Sequence, residues 1–210
     1  MSDHYFSADP AVPFEREPLT CQVWGQRLDL VSGSGVYSRG RLDIGTAVLF
    51  RETGSPEPGH VLDLGTGYGV IGLAIAAAWR ADGVPAGAES GVTGVEVNQR
   101  AVLLANENAA ALGLQDRFVA CDPDTVPDTV QFDEIWSNPP IRIGKQALHA
   151  LLLRWFDRLR PDGRAVMVVG KNLGADSLQP WLSGQGYPTT RLASAKGFRV
   201  LESRREPGAG

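Results

Sequence analysis

The sequence predicts an α/β fold in which a mostly parallel sheet is covered by helices on both faces. Three observations support this prediction. From residue 59 onward, short apolar runs alternate with stretches of helical periodicity. The stretch over residues 99–112 is rich in Ala and Leu and is followed by Gly113, the residue type that commonly ends a helix. The length of 210 residues suits one domain with a substantial core, so no disulfide or metal is needed to hold it together.

Seven short apolar runs are the predicted strands. They cover residues 60–64, 92–97, 117–120, 132–137, 164–169, 189–193 and 198–203. The helices predicted between them cover residues 69–80, 99–112, 145–159 and 175–185. The tetrapeptide RPDG at residues 160–163 is predicted to be a turn before the fifth strand.

Residues 1–58 follow this alternation less well. The run CQVWGQRLDLVSGSGVYS predicts a short hairpin and a glycine-bearing loop, and a helix is expected from about Gly45 to Arg51. We expect residues 1–58 to form a cap on the α/β core of residues 59–205, within one structural domain. Residues 206–210 are expected to be a tail.

Cysteine usage and hydropathy bound the environment of the protein. Cys21 and Cys121 lie 100 residues apart and in no CxxC or Cys/His pattern, so neither a disulfide framework nor a metal site is expected. The N-terminus is polar, and the longest apolar stretch, residues 70–79, is too short to span a bilayer. These features predict a cytoplasmic protein without a membrane anchor.

Charge is distributed unevenly along the chain. Residues 1–140 hold 8 Lys and Arg against 19 Asp and Glu, a net charge of −11, whereas residues 141–210 hold 12 against 5, a net charge of +7. The overall charge of −4 argues against a nucleic-acid partner. The basic final third still permits a polyanion near one edge of the protein.

The run HVLDLGTGYGVIGLAIA places a glycine-rich turn between a strand and a helix. Gly65, Gly67 and Gly69 allow the backbone to approach a ligand closely. Such turns often cradle phosphates, but no phosphate-binding Lys-Ser/Thr follows this one. Asp63, two residues before the first glycine, suits the ammonium group of a ligand better than a pyrophosphate.

Acidic residues end the next two predicted strands. In GVEVN, Glu96 lies at the carboxyl end of the second strand, where a carboxylate accepts hydrogen bonds from both hydroxyls of a ribose. In VACD, Asp122 lies at the end of the third strand, where an adenine amine would be read, although the following loop holds other acids. The glycine turn and the two acids describe an adenosyl ligand with an amino-acid tail, which is similar to S-adenosylmethionine.

The run FDEIWSNPPIRIGKQ ends a fourth strand at Ser137 and Asn138, followed by Pro139 and Pro140. Proline fixes φ, has no N–H, and holds the preceding residue in extended geometry. The turn is therefore stiff and rich in acceptors. Taken alone, it is simply a strand that ends in a rigid turn.

With the glycine turn, SNPP resembles the [SND]-P-P-[YF] motif of class I methyltransferases of the small-domain type, which methylate planar nitrogen. The segment SGSGVYSRGRLDIGTAVLF, residues 32–50, resembles the GVFS…LDxGT segment of RsmC-like enzymes, which methylate a guanine exocyclic amine in small-subunit ribosomal RNA. The resemblance covers roughly Val31 to Arg204. It implies a Rossmann-like sheet whose last strand is antiparallel, S-adenosylmethionine as cofactor, and ribosomal RNA or a ribosomal subunit as partner.

The resemblance also implies roles for individual residues. The side-chain carbonyl of Asn138 and the backbone carbonyl of Pro139 would hold the hydrogens of the amine and orient its lone pair, with Pro140 and Ile141 completing the catalytic turn. The residues expected to bind the cofactor are Asp63, Gly65, Thr66, Gly67, Gly69, Glu96, Val97, Asp122 and Asn138.

Substrate contacts are less sharply indicated. Ile141 replaces the aromatic residue with which the family stacks on the base, and Tyr37, or Tyr5 or Phe6, would supply the missing ring. The residues expected to contact substrate are Tyr37, Arg142, Lys145, Lys196 and Arg199, of which Lys196 and Arg199 are expected on the turn between the two final strands.

Other functions fit parts of the pattern. Protein-glutamine and DNA-adenine methyltransferases also place an NPP turn beside a planar amide or amine, although the LDIGT segment and the basic final third favour RNA. A catalytically silent methyltransferase fold that serves as an RNA-binding or partner module is the alternative from another class. The intact glycine turn, Glu96 and the SNPP sequence argue against silence.

Overall fold

The computed structural model describes residues 13–87, 89–140 and 143–205. Ile141, Arg142, the first twelve residues of the predicted cap and the predicted tail lie outside the described residues. In chain order the elements are β1 (Arg16–Val23), β2 (Gln26–Gly33), α1 (Ile44–Glu52), β3 (His60–Leu64), α2 (Val70–Ala81), β4 (Gly91–Val95), α3 (Gln99–Ala111), β5 (Phe118–Cys121), β6 (Phe132–Ser137), α4 (Lys145–Phe156), β7 (Leu159–Gly170), α5 (Ala175–Gly184), β8 (Thr189–Ala195) and β9 (Phe198–Arg204).

Seven of these strands form one central sheet in the order β5-β4-β3-β6-β7-β9-β8. Strands β5, β4, β3, β6 and β7 pair in parallel, and β9 is antiparallel to both of its neighbours, β7 and β8. The predicted Rossmann-like sheet, with its antiparallel last strand, is confirmed.

Alternation along the strands separates two apolar layers. In β3, Val61 packs into one layer, whereas Leu62 and Leu64 pack into the other. Helices α1, α2 and α3 contribute to the first layer and α4 and α5 to the second. Because side chains point to opposite faces at successive positions, Asp63 faces the α2 side of the sheet.

The N-terminal hairpin was also predicted correctly. Strands β1 and β2 pair antiparallel, and Trp24 and Gly25 turn between them with φ of 46° and 79°, the backbone pattern of a tight hairpin turn. Asn108 of α3 joins this hairpin to the core. Its Oδ1 accepts from Val31 N at 2.8 Å, and its Nδ2 donates to the Val31 and Tyr68 carbonyls, each at 2.9 Å.

One predicted boundary was wrong. Residues 160–163 (RPDG) do not precede the fifth strand of the sheet but lie within β7, which begins at Leu159. Leu159 pairs with Phe132 and the next pair joins Arg164 to Glu134, so the intervening residues form an irregularity in the ladder. Asp162, with φ of 65°, keeps the backbone of a turn there. Helix α4 ends at Phe156, three residues earlier than predicted.

No helix in the described ranges is both long and apolar enough to cross a membrane.

Candidate active site

Three strand ends lie level at one edge of the sheet. Leu64, the last residue of β3, pairs with Val95 of β4 on one side and with Ser137 of β6 on the other. The segments that follow these residues therefore emerge side by side. A cavity of about 460 Å³ opens there, within the range of roughly 300–1,000 Å³ that is usual for small-molecule sites. Of the predicted site residues, those that line it are Tyr37, Gly65, Thr66, Gly67, Glu96, Val97, Asn138, Pro139 and Pro140.

The glycine turn forms one wall of the cavity. Gly65 and Gly67 have φ of 73° and 56°, values that side-chain-bearing residues rarely adopt. A Cβ at Gly67 would meet no atom within 4 Å, so the space in front of this backbone is open to a ligand. Gly69 has a different role. It lies outside the cavity lining, and a Cβ there would meet Leu73 and Ala105 at 3.0 and 3.2 Å, so this glycine allows α2 and α3 to pack closely.

Asp63 supports the turn and does not line the cavity. Its carboxylate is fully buried, and its Oδ2 accepts from Thr66 Oγ1 at 2.5 Å and from Gly72 N at 2.8 Å. No described residue donates to its Oδ1. Asp63 was predicted to face the ammonium group of a ligand, whereas the strand alternation turns it toward α2. Burial raises the pKa of Asp63 from 3.8 to about 6, against the two hydrogen bonds, and nearby Glu96 adds to the rise.

Glu96 lies in the cavity wall. Its Oε2 accepts from Gly67 N at 3.2 Å, and its Oε1 accepts from Asn98 N at 3.0 Å. Burial raises the pKa of Glu96, although hydrogen bonds from backbone N–H groups oppose the shift. A carboxylate has about four acceptor positions, so lone pairs remain for the hydroxyls of a ribose. The carboxylate thus connects the ends of β3 and β4 and fits the sugar of an adenosyl ligand.

Asp122 is not brought into the cavity lining. It caps a short 3₁₀ turn, where its Oδ1 accepts from Asp124 N at 2.9 Å, and its Oδ2 accepts from Gln99 Nε2 at 3.0 Å. The neighbouring Pro123 does line the cavity. On this side the cavity lining is apolar. It includes three residues from α4 and the segment before it that were not predicted from the sequence, namely Ile143, Leu151 and Trp155. Such a surface fits the faces of a planar ring.

Asn138 is held by two partners from α1 and its N-cap. Its Nδ2 donates to Asp43 Oδ1 at 2.7 Å and to Thr46 Oγ1 at 3.0 Å. Both hydrogens of the amide are therefore used, and in the described part of the chain nothing donates to its Oδ1. The backbone carbonyl of Pro139 likewise receives no hydrogen bond from a described residue, whereas that of Pro140 accepts from Ile143 N at 3.1 Å. Among the described residues, these two oxygens therefore have no donor, and both Asn138 and Pro139 line the cavity.

The contacts of Asp43 and Thr46 with Asn138 were not predicted from the sequence. Both residues belong to the LDIGT segment. That segment supported the family resemblance, but no role was assigned to either side chain. Asp43 caps α1 by accepting from Thr46 N at 3.1 Å, a role its type and position indicate. Its contact with Asn138 joins positions 95 residues apart, which no local pattern reveals.

Of the residues predicted to contact substrate, Tyr37 lines the cavity, two lysines are exposed, and Arg199 lies within a strand. Tyr37 lines the cavity, is 43% exposed, and donates from its hydroxyl to Asp43 Oδ2 at 2.9 Å. Lys145 begins α4, and Lys196 lies on the β8–β9 turn, both exposed. Arg199 is not on that turn. It lies within β9, largely buried, and its Nε donates to Asp176 Oδ1 at 3.2 Å.

The basic final third of the sequence does not become a uniformly basic surface. Most of its arginines are paired with acids, many of them from the first 140 residues; the pairs are Arg154–Asp124, Arg158–Asp128, Arg160–Asp133, Arg164–Glu134, Arg199–Asp176 and Arg204–Glu202. Lys145, Lys171 and Lys196 make no ion pair with a described residue. Lys171 N donates to Gly197 O at 2.8 Å at the carboxyl end of β7. The three lysines lie within two residues of Ile143, Gly170 and Phe198, which line the cavity, so they are near its edge.

Comparison with known proteins agrees with this geometry. The family model described as "Methyltransferase small domain" matches residues 27–202. The chain belongs to this family. The predictions of an S-adenosylmethionine-dependent methyltransferase and of S-adenosylmethionine as its cofactor are confirmed at this level.

Several individual relatives extend the comparison. The uncharacterized protein YbxB of Bacillus subtilis is 30% identical over 208 residues, which are 98% of this chain and 100% of that protein. Ribosomal RNA small subunit methyltransferase C of Pseudomonas entomophila is 34% identical over 183 residues, 85% of this chain and 51% of that protein. The chain thus spans about half the length of the ribosomal RNA methyltransferases that it matches.

Among solved structures, the T. thermophilus 16S rRNA N2 G1207 methyltransferase (RsmC), in complex with AdoMet and guanosine, has a TM-score of 0.76 and 25% identity. The match covers 94% of this chain and 52% of that chain. A ribosomal protein L11 methylase from Lactobacillus delbrueckii, 19% identical with a TM-score of 0.58, shares the fold.

We expect Glu96→Ala to weaken S-adenosylmethionine binding, because each hydrogen bond from a ribose hydroxyl to the carboxylate contributes on the order of 1.5–3 kcal/mol. Isothermal titration calorimetry measures the loss. Asp122→Ala is the matched comparison at the next strand end, and its side chain lies outside the cavity lining. A Glu96→Ala affinity equal to that of the unmodified protein would show that another acid binds the ribose.

Asp63→Asn should change how stability depends on pH. The folded-state pKa of about 6 lies above the ordinary 3.8, so the folded protein binds more protons than the unfolded chain between these values. The unmodified protein should therefore lose stability relative to the variant as pH rises from about 4 to 7, by on the order of 2 kcal/mol. Urea unfolding at several pH values measures this difference. A constant difference would mean that the Asp63 carboxyl titrates normally.

Proposed function

We propose that this protein transfers a methyl group from S-adenosylmethionine to the exocyclic amine of a guanine in small-subunit ribosomal RNA. The observation that carries the proposal is the orientation of Asn138. Asp43 and Thr46 accept both of its amide hydrogens, and no described residue donates to its carbonyl or to the carbonyl of Pro139, the next residue in the chain. Two fixed acceptors match a planar amine with two hydrogens.

The chain's own residues would act by positioning. S-adenosylmethionine supplies an electrophilic methyl group whose leaving group becomes neutral. Asn138 Oδ1 and Pro139 O would hold the two amine hydrogens in one plane and direct the nitrogen lone pair toward the methyl group. As the new bond forms, positive charge develops on the nitrogen, and both oxygens stabilise it until one proton is lost. Positioning and electrostatic stabilisation of this kind account for large parts of many enzymatic rate accelerations.

The cavity fits the cofactor by its own features. It combines the open backbone at Gly67, a half-buried carboxylate at Glu96 and an apolar wall that includes Leu151 and Trp155. These would receive, in order, the amino-acid tail, the ribose and the adenine of S-adenosylmethionine. Asp63 would contribute indirectly, since it holds Thr66 and the turn in place.

Ribosomal RNA is supported by the relatives and by charge. The Pseudomonas relative is named for ribosomal RNA methylation, and guanosine is bound in the T. thermophilus complex. Lys145, Lys171 and Lys196 lie at the cavity edge, where phosphates on either side of a flipped base would pass. Tyr37 would stack on that base. A ribosomal substrate would place the enzyme in the cytoplasm, and we propose that its cap and core act as one domain.

The two acceptors would also suit an adenine amine in DNA or a glutamine amide in a protein. An assay with labelled S-adenosylmethionine should therefore offer small-subunit RNA, assembled small subunits, DNA and a peptide release factor in parallel. We expect N2-methylguanosine in ribosomal RNA, identified by mass spectrometry of nucleosides. Label in DNA or release factor would replace the RNA proposal. Absence of cofactor binding by calorimetry would support a silent binding module.

Asn138→Ala should lower turnover by roughly 100-fold or more, because the amine loses an acceptor that acts in the transition state. Affinity for S-adenosylmethionine should stay within a few-fold. Single-turnover kinetics and calorimetry on the same preparation separate the two quantities. Equal losses in turnover and in cofactor affinity would reassign Asn138 to cofactor binding.

Replacing Lys145, Lys171 and Lys196 together with Gln should weaken RNA binding and reduce its salt dependence. Each phosphate that the variant no longer neutralises should lower the slope of log K against log salt by about 0.7–0.9. Arg191→Gln is the control. Arg191 is exposed on β8, and its position in the ladder, opposite Leu201 of β9, is away from the turn that carries Lys196. An unchanged slope in the triple variant would remove these lysines from the RNA surface.

A further inference from the structure

Asp43 has an unusual concentration of donors around one carboxylate. Its Oδ1 accepts from Thr46 N at 3.1 Å and from Asn138 Nδ2 at 2.7 Å. Its Oδ2 accepts from the Tyr37 hydroxyl at 2.9 Å. Helix capping requires the first of these contacts alone. The other two connect Asp43 with the catalytic turn and with the loop at the mouth of the cavity.

The contact with Asn138 decides which end of the amide faces the cavity. The oxygen and nitrogen of an asparagine side chain are nearly equal in size, so its partners set its orientation. A carboxylate accepts hydrogen bonds and cannot donate them, so the NH₂ group must turn toward Asp43. Thr46 Oγ1, at 3.0 Å from the same nitrogen, is a second acceptor. In the reversed orientation the amide would present two donors to the cavity, and an amine substrate would meet donors instead of an acceptor.

We infer that Asp43 is a positioning residue that acts through Asn138, fixing its amide so that the carbonyl receives the substrate amine, and that Tyr37 is tied to the same carboxylate. The inference rests on the proposed function for the identity of the substrate. It does not require Asp43 to touch the substrate, although Asp43 is part of the cavity lining, because the effect is carried by its hydrogen bond to Asn138.

The variants separate this role from helix capping. Serine at position 43 still caps α1 but is too short to reach Asn138. Asp43→Ser should therefore lower turnover by roughly 10–100-fold, with S-adenosylmethionine affinity within about two-fold and the melting temperature nearly unchanged. Asp43→Asn offers an amide oxygen in the same place and should restore most of the turnover. Thr46→Val, with Thr46→Ser as its control, removes the second acceptor and should have a smaller effect.

A double-mutant cycle tests whether Asp43 acts through Asn138. In the Asn138→Ala background, Asp43→Ser should change turnover by less than about two-fold, because the group that it positions is already gone. A purely structural role, or direct contact of Asp43 with the substrate, would multiply the two losses. Multiplied losses would overturn the inference.

A second measurement needs no substrate. In nuclear magnetic resonance spectra of the protein without ligand, the side-chain NH₂ protons of Asn138 should exchange slowly with solvent. Asp43→Ser should accelerate their exchange by about ten-fold or more, and Asp43→Asn by much less. If the unmodified protein methylates no RNA, the proposed function is wrong. The exchange measurement would still show whether Asp43 orients the Asn138 amide. Equal exchange rates in the unmodified protein and Asp43→Ser would overturn the positioning role.

Discussion

The site depends on the register of three parallel strands, β4, β3 and β6, which end at the same height in the sheet. Leu64 lies between Val95 and Ser137 in the ladder, so the residues that follow each strand share one edge of the sheet. The glycine turn, Glu96 and Asn138 come from separate parts of the sequence but meet at one cavity for this reason. A shift of one residue in either pairing would turn every side chain of that strand to the other face and separate the three.

Hydrogen bonds connect these strand ends to one another. Ser137 Oγ donates to the Leu64 carbonyl at 2.7 Å, which ties the proline turn to the glycine turn. Glu96 accepts from Gly67 N and joins the second strand end to the same turn. The carboxylates of Asp63 and Glu96 stabilise this arrangement by accepting hydrogen bonds. Burial disfavours their charged forms, as their raised pKa values indicate. A cationic ligand in the cavity would offset part of that cost.

Folding brings together acidic and basic residues that lie in different parts of the sequence. The acidic first 140 residues and the basic remainder pair with each other, as in Arg160 with Asp133 and Arg154 with Asp124. The net charge of the final third therefore overstates the basic surface. Lys145, Lys171 and Lys196, which make no ion pair with a described residue, lie near the cavity and make a smaller target for a polyanion.

The sequence by itself determined the order and type of the elements of the sheet, because the apolar runs and the glycine and proline positions are local signals. It also indicated that the glycine turn, Glu96 and Asn138 share one edge of the sheet, since parallel strands place their carboxyl ends together. It did not determine that Asp122 stays outside the cavity lining or that Arg199 pairs with Asp176. Those outcomes depend on contacts between distant segments. The orientation of Asn138 is the clearest case, because Asp43 reaches it across 95 positions of sequence and through α1, whose placement only packing against the sheet decides.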